Sequence, residues 1–476
     1  MIFSSYIFIA AFFPVVFTGY WLCQYFLHNT TAARWWLIIA ALFFYAWGNV
    51  EFAPILGLTV VFNYLVAEGI KKARAKNNKA GAVVLLLLAI VENLGLLFYF
   101  KYVNFFLYNI NYLWGTDYFI ANIVLPLGIS FYTFQILSYV VEVFREEVED
   151  FTFTEFCLFV TFFPQLIVGP VVRHNEFLPQ LKDESVNRLN KTNILLGIVL
   201  FSIGCAKKII LADPLILHAQ NFYNVLGNGD FFQAWGAVFA YTFAYYFDFS
   251  GYIDMALGLG LFFNIKLPIN FNSPYKARNF ADFWQRWNIT ISRFFEDYIF
   301  HNIFHFGNGF GRLALATMAT FLVSGIWHGA GWHFIFWGLA NGVLVVCAYI
   351  MRLKNWRLPF GLAWALTFFF TLLVRVLFDS NNMTQALAVY QTMFDIRGLF
   401  ADPSSFWAGG LAYLQDNVTV IALIALAALI SFGAKNSNEI AENFTPKWQY
   451  AVFAGVLLTI SLFHMTGVSQ FLYFQF

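Results

Sequence analysis

Two histidines lie five residues apart in the strongly apolar stretch SGIWHGAGWHFIFWGLANG, residues 324–342. Ionisable side chains inside membrane-spanning segments are rare, and they are functional candidates by default. A neutral imidazole can act as a general base, so His328 predicts proton-transfer chemistry. His333 would lie about 140° further round a continuous helix, on a different face. We therefore predict that His333 supports the site rather than reacting.

A second polar cluster precedes these histidines in residues 270–300. Its aromatic residues recur at helical spacing, which is typical of an amphipathic helix at a membrane interface. A second interpretation is a cytoplasm-facing lip that binds an anionic, nucleotide-like ligand through charge-assisted hydrogen bonds. Spacing alone does not decide between these two interpretations. The candidate substrate-binding residues of this lip and of the histidine stretch are Lys276, Arg278, Trp284, Arg286, Trp287, Arg293, Trp327 and Trp332.

No metal site is predicted. His301 and His305 are four residues apart, as two zinc ligands on one helix face would be. However, the sequence HNIFH has no glutamate beside the first histidine and no third ligand nearby.

The composition indicates whether these groups lie in a soluble protein or in a membrane protein. Hydrophobic residues make up 60% of the 476 residues and charged residues only 11%, whereas soluble domains are about 25% charged. The chain is therefore predicted to be a membrane protein in contact with the lipid bilayer. The 27 Lys+Arg residues nearly balance the 26 Asp+Glu residues, so charge gives no reason to expect a nucleic-acid partner.

The apolar stretches predict the elements that must position the candidate residues. A membrane span needs about 20 mostly apolar residues. We predict an all-α, polytopic protein with about 11 transmembrane helices, plus re-entrant or amphipathic segments, around a central tunnel. The basic loops 71–79, 351–357 and 276–293 are predicted to be cytoplasmic. The candidate spans are 3–27, 34–48, 50–70, 81–107, 118–144, 154–172, 193–217, 231–263, 313–330, 333–351, 358–378, 417–433 and 448–465.

Other charged residues fall inside these apolar stretches. We expect Lys207 and Lys208 to extend to the membrane interface, with Asp213 as a partner. Glu92 and Arg375 are predicted to pair across helices. Asp248 is predicted to support the site from behind.

The sequence resembles the membrane-bound O-acyltransferase family, in its bacterial alginate and peptidoglycan O-acetyltransferase-like branch. The resemblance covers nearly the whole chain, as one domain over residues 1–476 with a signature core at about 125–342. The blocks that carry it are FFYAWG (43–48), LPLGISFYTFQILSYVVEVFR (125–145), FFPQLIVGPVVR (162–173), YYFDFSGYIDMALGLGLFFNIKLPINFNSPY (245–275), FWQRWNITISRFFEDYIF (283–300), GIWHGAGWHFIFWGLANG (325–342) and VRVLFDSNNMTQAL (374–387).

The resemblance implies two catalytic positions. The histidine of the WHG motif, taken as the acyl-transfer base, falls on His328. The second signature position falls on Asn288, where the bacterial relatives usually read RWH and this chain reads RWN. An asparagine can orient a carbonyl by hydrogen bonding but cannot move a proton. Backbone N–H groups near Gly329 and Gly331 are further candidates to stabilise an oxyanion.

The resemblance also implies the substrates and the location. The expected donor is acetyl-CoA, with no permanently bound cofactor, and the expected enzyme lies in the bacterial inner membrane. The acceptor hydroxyl is expected on the opposite side, on a periplasmic or membrane-tethered acetyl carrier or transferase that modifies peptidoglycan or an exopolysaccharide. A D-alanyl or longer acyl group is the alternative within the family. A polytopic transporter is the alternative outside it, because breaks and charges in spans are common to both classes.

Overall fold

The computed structural model describes residues 1–120, 123–225, 229–305, 307–465 and 472, and all regular elements within these residues are helical. Seven of the described helices are long and apolar enough to cross a membrane, or eight if the bent pair Pro403–Asp416 and Val418–Gly433 forms one span. Three further apolar helices are shorter. The prediction of an all-α, polytopic membrane protein is confirmed.

The α-helices within the described residues are numbered here in chain order. They are α1 (Phe13–Tyr25), α2 (Thr30–Ala46), α3 (Phe52–Ala75), α4 (Lys79–Leu97), α5 (Val103–Trp114), α6 (Ile129–Phe144), α7 (Phe153–Thr161), α8 (Phe163–Leu166), α9 (His174–Lys182), α10 (Lys191–Ala206), α11 (Asp213–Asn224), α12 (Phe231–Phe262), α13 (Phe280–Trp284), α14 (Ile289–Phe295), α15 (His301–Ile303), α16 (Phe310–His328), α17 (Trp332–Leu353), α18 (Phe360–Asp379), α19 (Met383–Met393), α20 (Arg397–Ala401), α21 (Pro403–Asp416), α22 (Val418–Gly433), α23 (Ser437–Glu442) and α24 (Trp448–His464).

The chain forms two compact units. The first contains the residues up to Gly204, the stretch Tyr252–Ile269 and the segment that begins at Phe444. The second contains Cys205–Gly251 and Asn270–Asn443, and it holds all of the predicted site residues.

In the first unit, the stretch 154–172 does not cross the membrane, and its prediction as a span is wrong. The α7 helix has only 9 residues, too few for a hydrocarbon core about 30 Å thick. On either side of this stretch, Glu149 and Lys182 form an ion pair of 2.8 Å. Arg34 likewise contacts both the Glu155 carboxylate and the Leu181 carbonyl. The segment is therefore re-entrant and returns to the face from which it starts.

The predicted span 118–144 starts later than expected, at Ile129. Gly128, just before α6, has a φ of +73°, in the left-handed region that favours glycine. A Cβ there would lie 2.6 Å from the Leu166 carbonyl oxygen. Close contact with α8 therefore sets the start of α6.

Glu92 is held within the first unit by polar groups of α3. Its carboxylate accepts hydrogen bonds from Thr59 Oγ1 at 3.1 Å and from Asn63 Nδ2 at 3.0 Å. In the second unit, Arg375 donates to Asp379 of its own helix at 3.1 Å. The predicted Glu92–Arg375 pair is wrong, because each charge is satisfied by residues that lie nearer along the chain.

The α16–α17 hairpin of the second unit depends on two glycines. A Cβ on Gly325 would lie 2.4 Å from the Phe334 carbonyl oxygen, and one on Gly338 would lie 2.4 Å from the Phe321 carbonyl oxygen. Small residues let the backbones of two helices approach closely in a membrane. This contact fixes the position of His328, the last residue of α16.

The hairpin contact gives a stability prediction. Gly338→Ala should lower the free energy of unfolding by about 1–3 kcal/mol, because the new methyl group meets backbone that cannot turn away. The control is Gly455→Ala in α24, where a Cβ meets no atom within 4 Å. There, about 0.5–1 kcal/mol of stabilisation is expected. Denaturant unfolding in detergent measures both, and equal shifts in the two variants would contradict the tight contact.

Candidate active site

The segment 270–300 is not one amphipathic helix, as one of the two interpretations of the sequence required. It forms α13, a turn, α14 and a π-helical stretch, Glu296–Phe300. Asn288 interrupts the helical course, because its φ of +45° is left-handed. Asparagine is one of the few residues that adopt this conformation readily.

Asn288 is buried, with 3% of its surface exposed. Its side-chain Oδ1 accepts a hydrogen bond of 3.0 Å from Asn270 Nδ2. The main chain is tied at the same place, because Ile289 N donates to the Asn270 carbonyl oxygen at 2.9 Å. Side chain and backbone together fix Asn288 at the start of α14.

His328 is held by aromatic rings at the end of α16. Its imidazole packs against Trp327 at 4.6 Å, Trp337 at 4.8 Å and Phe378 at 5.0 Å between ring centroids. The last two rings meet it nearly edge to face, the arrangement that aromatic quadrupoles favour. His328 is buried, with 7% of its surface exposed, and these rings enclose its imidazole.

His328 and Asn288 line one cavity of about 300 Å³. Trp284 and Arg293, two of the predicted substrate-binding residues, line it as well. Trp284 forms a wall, with its ring 5.6 Å from that of Trp337. The structure thus brings both candidate catalytic side chains to one small chamber.

The sequence analysis missed several polar residues of this chamber. Ser324 lies four residues before His328 on the same face of α16, a spacing that could have identified it. Gln285 and Ser292 lie three residues before and four residues after Asn288, within the block 283–300, and the same spacing argument could have identified Ser292. No motif points to Thr317, Thr320 and Tyr349, which lie outside the blocks 283–300 and 325–342.

A second cavity of about 620 Å³ adjoins the first. Ala281, Gln285 and Tyr349 line both cavities. The second is rimmed by three arginines together with a tryptophan, a combination that suits a phosphate-bearing ligand with a flat ring. These residues are Arg278, Arg352, Arg357 and Trp356.

Two predicted basic residues of the lip are engaged elsewhere. Arg286 forms an ion pair of 2.6 Å with Asp282, and Lys276 Nζ donates to the Ala434 carbonyl oxygen at 2.7 Å. Neither residue lines the two cavities.

Three of the predicted aromatic residues also lie outside the cavity of His328. Trp287 packs behind Asn288, with its ring stacked on Phe283 at 5.6 Å. Trp327 is in contact with the His328 ring, whereas the side chain of Trp332 is half exposed.

His333 lies in the first turn of α17 and does not line the His328 cavity. Its ring packs on Phe334 at 4.2 Å. The glycine backbone between the histidines is also partly used, because Gly331 N donates to the Gly329 carbonyl oxygen at 3.1 Å. The Gly331 N–H is therefore engaged within this turn, and oxyanion stabilisation by backbone N–H groups near Gly329 and Gly331 stays a prediction.

Asp248 belongs to a buried ion cluster. Lys208 Nζ lies 2.6 Å from Asp248 and 2.8 Å from Asp213. The expected partner Asp213 is confirmed, but because Lys208 is only 3% exposed, the expectation that it extends to the membrane interface is wrong. Two carboxylates hold the ammonium group inside the second unit instead.

This cluster gives a second stability prediction. Lys208→Met leaves the buried Asp248 without its cation, which should cost about 3–5 kcal/mol. The adjacent Lys207 is partly exposed, and Lys207→Met is the matched control, with a much smaller loss expected. Thermal melting in detergent compares the two. Equal melting temperatures for both variants would contradict the role given to the cluster.

Comparison with known proteins identifies the family. The model of the membrane-bound O-acyltransferase family matches residues 82–384. A peptidoglycan O-acetyltransferase from Helicobacter pylori is 38% identical, over 100% of this chain and 98% of the relative. A Pseudomonas aeruginosa protein named probable alginate O-acetylase AlgI is 33% identical, over 90% of this chain and 81% of the relative. A teichoic acid D-alanyltransferase from Streptococcus thermophilus is 31% identical, over 46% of this chain. The chain belongs to the membrane-bound O-acyltransferase family and is a multi-pass membrane enzyme that transfers acyl groups to oxygen.

Proposed function

We propose that this enzyme takes an acetyl group from acetyl-CoA on the cytoplasmic side and delivers it to a hydroxyl group on the extracytoplasmic side. One observation carries the proposal: the small chamber of His328 and Asn288 adjoins the cavity rimmed by three arginines. The first can hold a reacting acyl group, and the second can hold the charged end of the donor.

The size of the chamber supports a short acyl group. At about 300 Å³ it lies at the lower end of ligand pockets, which span about 300–1,000 Å³. The bulky side chains of Trp284 and Phe321 stand in its wall. An acetyl group fits such a space more readily than a long fatty chain.

The second cavity supports a nucleotide-bearing donor. Arg352 and Arg357 belong to the basic loop that the positive-inside rule assigns to the cytoplasm. One guanidinium group can donate two parallel hydrogen bonds to the oxygens of a phosphate. The indole of Trp356 offers a flat surface for an adenine ring. The donor needs no metal or resident cofactor, because a thioester is already an activated acyl group.

The chemistry is a single displacement at the thioester carbonyl. His328 removes the proton from the acceptor hydroxyl, and the oxygen forms a bond to the carbonyl carbon. Asn288 donates a hydrogen bond to the carbonyl oxygen as negative charge develops there. The carbon–sulfur bond then breaks, and the thiolate takes the proton from the imidazolium.

The relatives support a proposal for the acceptor and the cellular location. The Helicobacter pylori relative that aligns over the full chain is named for peptidoglycan, so we place this enzyme in the bacterial inner membrane, in O-acetylation of the cell wall. A periplasmic or membrane-tethered carrier would receive the acetyl group and pass it to the glycan. The D-alanyl alternative has less support, because the D-alanyltransferases align over less than half of this chain.

Removal of the base tests the chemistry. His328→Ala should lower kcat for transfer from acetyl-CoA, or for its hydrolysis, by about 10²–10⁴-fold. The assay uses the purified enzyme in lipid vesicles with labelled acetyl-CoA. His218→Ala is the control, because His218 bonds Tyr413 outside the His328 cavity. Wild-type turnover by His328→Ala would refute the assigned role, and the absence of turnover with D-alanyl thioesters would exclude that alternative.

A comparison of two donors tests the arginine cavity. Arg352→Gln and Arg357→Gln should each raise KM for acetyl-CoA by about tenfold, because each loses a charge-assisted hydrogen bond. KM for S-acetyl-N-acetylcysteamine, a thioester without phosphates, should not change. Arg397→Gln is the control, because the exposed Arg397 pairs with Asp395. Equal changes in KM for the two donors would contradict phosphate binding.

A further inference from the structure

We propose that Asn270 is a positioning residue that orients the Asn288 amide, so that its Nδ2 donates a hydrogen bond to the acyl carbonyl in the His328 chamber. The inference rests on the proposed function and assigns a role to a residue that neither sequence motif identified. It also says which atom of Asn288 meets the substrate.

The orientation of Asn270 is fixed by its other neighbour. The backbone N–H and the hydroxyl of Thr290 both contact Asn270 Oδ1, each at 3.0 Å. A backbone N–H can only donate, so the oxygen of the Asn270 amide must face Thr290. The Asn270 amide nitrogen is left to face Asn288. With 1% of its surface exposed, Asn270 has no water to bond instead.

The orientation of Asn288 follows from that of Asn270. The N–H group of Asn270 requires an acceptor, so Asn288 must present its Oδ1. The hydrogen bond of 3.0 Å runs in this direction, from Asn270 Nδ2 to Asn288 Oδ1. Its Nδ2 makes no hydrogen bond with the described part of the chain, and Asn288 lines the chamber. The group available to the substrate is therefore a donor.

This arrangement also predicts that a histidine could replace Asn288. A neutral imidazole has one acceptor nitrogen and one N–H. With Asn270 donating to the acceptor nitrogen, the opposite N–H would face the chamber. Either residue then supplies the same donor, and proton transfer remains with His328 alone.

The decisive variant is Asn270→Asp. A carboxylate still accepts from Thr290, but it offers Asn288 only an acceptor. The Asn288 amide must turn its Nδ2 towards residue 270, and its oxygen then faces the acyl carbonyl. We expect kcat for acetyl-CoA to fall about 10²–10³-fold, the usual loss for one oxyanion donor, with KM little changed.

The matched control is Asn438→Asp. Asn438 Nδ2 donates to the carbonyl oxygen of Phe271, the residue after Asn270, so this variant disturbs the same loop without touching Asn288. We expect its kcat to stay near the wild-type value. A similar fall of kcat in both variants would overturn the positioning role and leave only loop stability.

A pH profile separates orientation from folding. In the double variant Asn270→Asp with Asn288→His, the imidazole donates to the carboxylate and offers a second N–H only when protonated. The activity of the double variant relative to the wild type should rise as the pH falls, whereas the single variant Asn288→His should show no such rise. The kcat of Asn288→His should also exceed that of Asn288→Asp by at least about tenfold, because only the histidine offers the acyl carbonyl an N–H donor. Parallel pH profiles would overturn the proposal.

A spectroscopic measurement needs no turnover. Acetyl-CoA labelled with ¹³C at the carbonyl is bound to His328→Ala, and the carbonyl stretch is compared with that in the same variant carrying Asn270→Asp. A lower carbonyl frequency in His328→Ala than in the double variant with Asn270→Asp supports the hydrogen bond from Asn288 Nδ2, and equal frequencies overturn the proposal.

The proposed function fails if the wild type and His328→Ala turn over acetyl-CoA at the same rate. The positioning role alone fails if those two differ while Asn270→Asp keeps the wild-type kcat.

Discussion

The structure depends on one constraint: polar groups needed for chemistry lie in surroundings that supply no bulk water. An unpaired polar group there costs several kcal/mol, and two buried cations of the second unit are accordingly paired. Lys208 lies between Asp213 and Asp248, and the Arg375 guanidinium bonds Asp379 and covers the Tyr245 ring at 3.5 Å. With Lys208 and Arg375 paired in this way, the chamber can expose a small set of reactive groups.

The two catalytic candidates are held by different physical means. Asn288 is held by a directional hydrogen bond from Asn270 and by its own left-handed backbone. His328 packs against the rings of Trp327, Trp337 and Phe378, the last two edge to face. Both side chains are buried, so each reaches the chamber from a fixed position.

Much of this arrangement could be predicted from the sequence, and particular failures show why the rest could not. Motif and residue type pointed to His328, Asn288, Trp284 and Arg293, which share one chamber. The basic loop 351–357 indicated which side of the protein faces the cytoplasm. That the same loop lines the second cavity could not be predicted, because this depends on a fold that composition does not encode. The stretch 154–172 is as apolar as a span, yet α7 ends before Phe162 and the chain turns back. The pair of Asp282 and Arg286, four residues apart, was visible in the sequence and should have removed Arg286 from the lip.

The close contact of α16 and α17 has a consequence for how the chamber of this enzyme can change. Thr317, Thr320 and His328 stand on one helix of the hairpin, and Val345 and Tyr349 stand on the other. Because Gly325 and Gly338 bring the two backbones into contact, the helices cannot shift together or apart in small steps to change the chamber. Selection for a different acyl group must therefore act on the volume of individual side chains in its wall. A new specificity can then arise by single substitutions that leave the position of the base unchanged.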